Sequence, residues 1–153
     1  MLELIVAVDK QYGIGNKNKL PWNCISEIEH FRMLTENSTL IMGRKTCENL
    51  PYLKNRKILC MSNLNIVQNC KNDIEFITHF DRDTSINNYF VAGGAEIYKY
   101  FLTHENFKKD IKIHLSIING SYDCDTYFNK DWLSGYVITH EKKYEEFTYI
   151  IME

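Results

Sequence analysis

The chain has 153 residues, 44% of them hydrophobic, enough for one globular core and too few for two full-sized ones, so 1–153 is read as a single domain. A formal net charge of −2 gives no electrostatic reason to expect nucleic acid, whose phosphates favour basic partners. Five cysteines (Cys24, Cys47, Cys60, Cys70, Cys124) form an odd set without a C-x-x-C pair, which argues against a disulfide framework or zinc knuckle and fits a reducing, cytoplasmic setting.

Leu2 to Val8 is an apolar, β-branched run of the kind buried on both faces of a central strand, and it lacks the basic flank and length of a signal peptide. A polar, glycine-containing loop follows to Trp22. Asn23 or a Ser26-x-x-Glu29 capping box then opens a helix to about Glu36, in which Cys24, Ile28, Phe31 and Thr35 follow 3.6-residue spacing. Glu27 stands one turn before Phe31 and points to the edge of that buried face. Thr39 to Gly43 reads as a strand, Arg44-Lys45-Thr46 opens a short helix, and Lys57 to Met61 is a third strand. Asp73 to about Arg82 carries Ile74, Ile77 and Phe80 at helical spacing and is read as a helix. Asn88 to Ala92 is a strand running through Gly93-Gly94 into a helix that ends near Leu102. Ile111 to Ile117 is a strand, and Tyr136 to His140 with Phe147 to Met152 suggests a terminal hairpin. Alternation of strand and helix followed by strands implies an α/β sheet, mainly parallel, with antiparallel strands at the C-terminal edge. No segment approaches the ~20 apolar residues needed to span a bilayer, so no membrane association is expected.

An unpaired carboxylate at a buried boundary is costly unless hydrogen bonds or a ligand compensate, so Glu27 is a candidate for chemistry or binding. Its alternative is a solvent-facing helix residue. Two strand-to-helix junctions suit phosphates. At Gly43-Arg44-Lys45-Thr46, helix-start amides sit beside two cations and a hydroxyl. At Gly93-Gly94-Ala95-Glu96-Ile97-Tyr98, paired glycines let a ligand approach the backbone closely. Each is weak alone, since a Gly-Gly turn and a surface Arg-Lys pair are common; together they suggest a dinucleotide. Neither is G-x-G-x-x-G, and Gly13-Ile14-Gly15 has Asn18 where the third glycine would fall. The five histidines lack H-E-x-x-H spacing and Cys or Asp companions, so no metal site is expected, and no G-x-S-x-G elbow offers a serine nucleophile.

These residues resemble the dihydrofolate reductase family over nearly the whole chain. The elements occur in family order: Ile5-Val6-Ala7-Val8, Gly13-Ile14-Gly15, Leu20-Pro21-Trp22, an acid with Phe31 four residues on, Ile41-Met42-Gly43-Arg44-Lys45-Thr46, Leu53 and Arg56, Val91-Ala92-Gly93-Gly94, and Asp125-Thr126-Tyr127-Phe128. The resemblance implies a three-layer α/β/α fold, with a central sheet of about eight strands flanked by about four helices. It also implies reduction of 7,8-dihydrofolate to tetrahydrofolate by NADPH, supporting one-carbon metabolism, with small molecules as partners; nothing in the sequence signals an obligate partner surface, so a monomer is the default. Glu27 would bind the pterin amino group and ring nitrogen and favour protonation at N5, with water near Trp22 and Leu20 as the expected carrier and Ser116 holding Glu27. Backbone groups of Ile5 and Ala92 would receive the pterin amine. Phe31, Leu50 and Leu53 would pack on the rings, Tyr98 would border them, and Arg56 would pair with the substrate's α-carboxylate. Ala7, Ile14 and Trp22 would line the nicotinamide. Thr46, Gly93, Gly94 and Ala95 would approach the pyrophosphate, and Arg44, Lys45, Ser62 and Asn63 would meet the 2′-phosphate. Gly15, Gly43, Glu96, Ile97, Tyr98 and Thr126 complete the implied cofactor set. Asn16 to Leu20 corresponds to a lid that excludes water, and Gly93-Gly94 to a cis peptide.

The sequence departs from the family pattern in places. Glu96 stands where some members place a cation, Cys47 replaces a common tryptophan, and Ala92 replaces a larger aliphatic residue. The last implies a roomier pocket, weakening apolar inhibitor contact by about 1 kcal/mol. Two other readings are a riboflavin-pathway reductase, which Glu27, Trp22 and Arg56 disfavour, and a degenerate homologue that binds folate or a partner without turnover.

Overall fold

The structure, a computed structural model, describes residues 2–68, 70–81, 86 and 88–153. In chain order its elements are β1 (Leu2–Val8), β2 (Gly13–Gly15), α1 (Ile25–Thr35), β3 (Thr39–Gly43), α2 (Arg44–Asn49), β4 (Lys57–Met61), β5 (Ile74–Ile77), β6 (Tyr89–Val91), α3 (Ala95–Thr103), α4 (Glu105–Lys108), β7 (Ile111–Ile118), β8 (Thr126–Tyr127), a 3-10 turn (Lys130–Leu133), β9 (Ile138–Lys143) and β10 (Phe147–Met152). Among the described residues eight strands form one sheet in the order β5-β4-β3-β6-β1-β7-β10-β9, while β2 and β8 form a separate antiparallel pair. The pairings from β5 through β7 are parallel, and β10 with β9 closes the edge antiparallel. No helix among the described residues is long and apolar enough to cross a membrane.

The sheet sorts side chains by the two-residue period of a strand. Leu2, Leu4, Val6 and Val8 of β1 face the layer made by α3, packing with Tyr98, Phe101 and Leu102. Ile5 faces the opposite layer, with Leu40, Met42, Cys47, Ile58, Cys60 and Phe90, and Phe31 and Leu34 of α1 pack against that group. Ala7 joins a third group on this face, with Trp22, Cys24 and Tyr149. Two helical layers around one sheet follow from these patterns. Each fully buried large apolar side chain contributes roughly 1.5–3 kcal/mol.

Several expectations change. The helix expected over Asp73–Arg82 is instead β5, an edge strand parallel to β4, and the far end at Arg82 lies outside the described residues. Ile74 and Phe76 pack on the α1 face while Ile77 packs on the α3 face. That is a period of two, and tertiary pairing overrode the apparent helical spacing in a short apolar run. Gly13–Gly15, read as loop, is β2, because β8 supplies a partner distant in sequence. The N-cap of α1 is Cys24, without a side-chain cap bond, rather than Asn23 or Ser26; Ser26 points its hydroxyl to Glu146 (3.4 Å). Strand β9 begins at Ile138, two residues later than read, and α4 and the 3-10 turn are additions to the sequence reading, the latter capped by Asn129, whose Oδ1 accepts from the Asp131 amide (2.9 Å).

Beneath α1 the sheet carries a buried polar row. Glu3 Oε1 lies 2.7 Å from His114 Nε2, and His114 Nδ1 lies 2.6 Å from the Tyr149 hydroxyl, with His114 and Tyr149 both buried. Each polar group in this row meets another, so the row is tolerated in an apolar layer. Tyr149→Phe removes one end and leaves a histidine nitrogen unpaired, and urea unfolding is expected to show a loss of about 1–2 kcal/mol. An unchanged midpoint would show that the row contributes nothing.

Candidate active site

The parallel strands β1, β3 and β6 end at one edge of the sheet. From β1 the chain crosses α1 to β3 on one side, and from β6 it crosses α3 to β7 on the other side of β1. In α/β folds such a reversal marks the carboxyl ends of the strands as the place where ligands bind.

Glu27 enters this region from the first turn of α1. It is 6% exposed, and among the described residues its carboxylate has neither a cation nor a hydrogen-bond donor. Burial pushes its pKa up from 4.5 to about 7. The Tyr98 phenol is also pushed up, by burial first and the nearby Glu27 charge second, and its hydroxyl donates to the Ile5 carbonyl at 2.8 Å. Ser116, buried on β7 opposite Ala7 of β1, makes no hydrogen bond to Glu27 among the described residues. Trp22 is buried against Tyr122, with ring centroids 5.7 Å apart, and its Nε1 is buried without a partner among the described residues. Leu20, by contrast, is 52% exposed.

One apolar wall is continuous. Ile5 and Leu53 are buried in the α1-side group, and Phe31, Leu50 and Ala92 pack against the same group. At its outer end the Arg56 guanidinium is held by Thr35 Oγ1 (Nε, 3.4 Å) and by the carbonyls of Lys54 and Arg32. Thr35 is itself fixed by donating to the Phe31 carbonyl (2.8 Å). The sequence places Thr35 only in the stripe with Phe31 and gives Arg32 no role; the signal for both is their place on the helix that carries Glu27 and Phe31.

The glycine junctions meet across the edge. Gly93 and Gly94 are joined by a cis peptide, and the Gly93 carbonyl accepts from the Gly43 amide (2.8 Å), so β3 and β6 deliver α2 and α3 side by side. Gly93 has φ +116°, which only glycine adopts easily, and a Cβ there would lie 3.2 Å from the Tyr98 hydroxyl. A Cβ on Gly94 would fall 3.5 Å from Thr46 Oγ1, and one on Gly43 would fall 3.3 Å from Ile97 Cγ1. Ala95 and Glu96 open α3, and the amides that follow, of Ile97 and Tyr98, both donate to the Gly94 carbonyl (3.1 and 2.9 Å). Glu96 and Lys45 are exposed, and Arg44 is drawn onto Glu48 (2.8 Å), a partner that sequence reading did not name. Ser62 and exposed Asn63 follow β4 beside Gly43, in register through Met61, with Ser62 Oγ accepting from the Leu64 amide (3.0 Å).

Ile14 packs against the α3-side core, and Gly15 pairs with Thr126 of β8. Beyond them Asn16 and Lys19 exchange backbone hydrogen bonds (2.8 and 3.0 Å), with Lys17 and Asn18 at positive φ. That is a two-residue turn of the type that matches strand twist, so the segment forms a hairpin-like arm.

The sequence matches the family described as dihydrofolate reductase over residues 1–151. A dihydrofolate reductase from Ureaplasma parvum is 31% identical over 153 residues, covering 96% of this chain and 93% of that one. Dihydrofolate reductase type 1 from Escherichia coli is 31% identical over 131 residues, covering 83% and 80%. A solved dihydrofolate reductase from Enterococcus faecalis, described as complexed with NADP(H) and RAB-propyl, superposes with a TM-score of 0.80 at 19% identity, covering all of this chain and 95% of that one. A match spanning the sheet, the glycine junctions and the Glu27 helix together establishes that the chain belongs to the dihydrofolate reductase family.

Proposed function

We infer that the chain catalyses NADPH-dependent reduction of 7,8-dihydrofolate to 5,6,7,8-tetrahydrofolate. The observation that carries this reading is Glu27: a buried carboxylate without protein partners among the described residues, beside a continuous apolar wall and across the sheet edge from a glycine cradle. A desolvated carboxylate binds an amino group and ring N–H side by side through two charge-assisted hydrogen bonds. Those bonds would restore what burial removed from the charged form. They also raise the proton affinity of the conjugated ring, so that N5 can be protonated as C6 accepts hydride. The donor at Trp22 Nε1 and the acceptor at Ile5 O support roles in holding the pterin or a proton-carrying water.

The glycine cradle fits a dinucleotide on its own geometry. Side chains at Gly43 or Gly93 would crowd it, the α3 N-terminus favours negative charge, and Arg44, Lys45, Thr46 and Ser62 offer cations and hydroxyls at its rim. NADPH bound there supplies the hydride. Ala7, Ile14 and Trp22 would line its nicotinamide, Gly15, Ile97 and Thr126 would complete its contacts, and Asn63 would meet its 2′-phosphate. The Glu48 contact gives Arg44 a fixed direction and dilutes its charge, so Lys45 carries more of the phosphate affinity.

The apolar wall of Phe31, Leu50 and Leu53 would take the rings, and Arg56, held by three acceptors, would present its fork to the α-carboxylate. Ala92 leaves room at the pterin edge. The remaining parts of this reading are a single domain acting as a monomer in the cytoplasm, with no nucleic-acid partner. The single domain is supported by the eight-stranded sheet, the cytoplasmic setting by the free cysteines and the lack of a nucleic-acid partner by the mild negative charge; the monomer is the default state.

Glu27→Gln separates function from stability. Burial raises the folded-state pKa above the unfolded value, so the folded chain holds the Glu27 proton more tightly. The favourable contribution is full below pH 4.5 and is lost as pH rises to about 7. Glu27→Gln is therefore expected to be more stable than the parent above pH 7, by roughly 3 kcal/mol, with the gap closing below pH 4.5. Its kcat/KM for dihydrofolate at neutral pH should fall roughly 100-fold or more and recover as pH is lowered and substrate arrives protonated. Full activity with an unshifted pH profile would remove Glu27 from the mechanism. Arg56→Lys keeps charge but not the fork, and is expected to raise KM for dihydrofolate about tenfold with kcat unchanged. An unaltered KM would place the carboxylate elsewhere.

A further inference from the structure

The chain between α2 and β4, residues 50–56, has no regular structure, yet it carries Leu53 and Arg56. Leu53 is buried in the α1-side group, so the backbone beside it must find hydrogen-bond partners away from water. Among the described residues the backbone of Pro51, Tyr52 and Leu53 bonds to no other backbone group. One side chain takes that place. Asn72 Oδ1 accepts from the Leu53 amide at 2.8 Å, and Asn72 Nδ2 donates to the Pro51 carbonyl at 3.0 Å.

An amide suits this task. In an extended chain the carbonyl of one residue and the amide two residues on point the same way, and a neighbouring parallel strand answers them with the N–H and C=O of a single residue. The Asn72 side chain offers the same pair, a donor beside an acceptor. Aspartate has no donor to give, and glutamine would place the pair one carbon further out.

Asn72 is itself anchored. Its carbonyl accepts from the Cys70 thiol (3.4 Å), and two residues later β5 begins, paired to β4 through Ile74 and Ile58. Ile74 packs against the same group as Leu53, so the edge strand and the segment share one core. Beyond Leu53 the chain turns at Asn55, which has φ +61°, and reaches Arg56. One of the carbonyls that hold the Arg56 guanidinium belongs to Lys54, the residue after Leu53. The position of the segment therefore sets the position of the guanidinium.

We propose that Asn72 is a positioning residue for the benzoylglutamate tail of the substrate: from the start of β5 its side chain fixes Pro51 and Leu53, and with them the outer part of the apolar wall and the seat of Arg56. The kinetic part of this inference rests on the proposed reductase activity; the brace itself does not.

Two variants of the full chain test it. Asn72→Ala removes both hydrogen bonds, and Asn72→Asp keeps the acceptor for Leu53 while setting a negative oxygen against the Pro51 carbonyl. Amide hydrogen exchange at Leu53 should speed up about tenfold in Asn72→Ala and stay near the parent rate in Asn72→Asp, with Leu4 and Leu40 in the sheet protected in both. The KM for dihydrofolate should rise about tenfold in Asn72→Ala and about threefold in Asn72→Asp, with kcat within about twofold of the parent. For 6-methyl-7,8-dihydropterin, which lacks the tail, kcat/KM should stay within about twofold of the parent in both variants. A merely structural Asn72 would lower the melting temperature and leave both substrates unaffected or affect them equally. An unchanged KM for dihydrofolate in either variant, or an equal fall for the two substrates, overturns the proposal, and the Asn72→Asp result decides even if Asn72→Ala does not fold. A parent enzyme that fails to oxidise NADPH with dihydrofolate would refute the reductase reading, and the Leu53 exchange rates would still judge the brace.

Discussion

The site is organised around a charge that the protein itself leaves uncompensated. Moving a carboxylate out of water is unfavourable, and the usual remedies are a paired cation or a set of amide donors. Asp9 shows the second remedy in this same chain, with three amides and a thiol on one carboxylate. Glu27 has neither among the described residues, and its proton affinity rises accordingly. The contrast supports the proposed difference in role: a satisfied carboxylate holds structure, and an unsatisfied one remains available to a ligand. The apolar wall of Ile5, Phe31, Leu50 and Leu53 keeps water away and so maintains the condition that makes Glu27 useful.

Sheet topology explains why the parts meet. Because β1, β3, β4 and β6 are parallel, the segments that leave them emerge at one edge, bringing Asp9, Arg44, Ser62 and Gly93 to the same end of the molecule. The contact between Gly43 and Gly93 sets two helix starts beside each other, a placement in which a side chain on either glycine would intrude. Opposite faces of the sheet then divide the labour, with α1 presenting Glu27 and Phe31 and α3 presenting Tyr98.

Much of this was legible in the sequence, for reasons that differ by residue. The central strands announced themselves because burial on both faces demands unbroken apolar runs, as in Leu2–Val8. Glu27 was legible because a carboxylate at the edge of an apolar helical stripe violates the pattern around it. The strand β5 was not, because four residues of an edge strand carry too few positions to separate a period of two from one of 3.6, and its pairing with β4 is a tertiary fact. The pair β2 and β8 was hidden for the same reason, since more than a hundred residues separate partners that are each short. The fixation of Arg56 by Thr35 and two carbonyls, of Arg44 by Glu48, and the four donors on Asp9 are contacts rather than patterns, and no local spacing encodes them.

The central claim is that Glu27 is desolvated and unpaired before substrate arrives. It is tested most directly by titrating the Glu27 carboxyl in the ligand-free protein, using isotope-edited infrared spectroscopy with Glu27→Gln as the assignment control. The account predicts a midpoint near pH 7. A midpoint at the ordinary value of 4.5 would show that the carboxylate is already solvated or paired, and would contradict it.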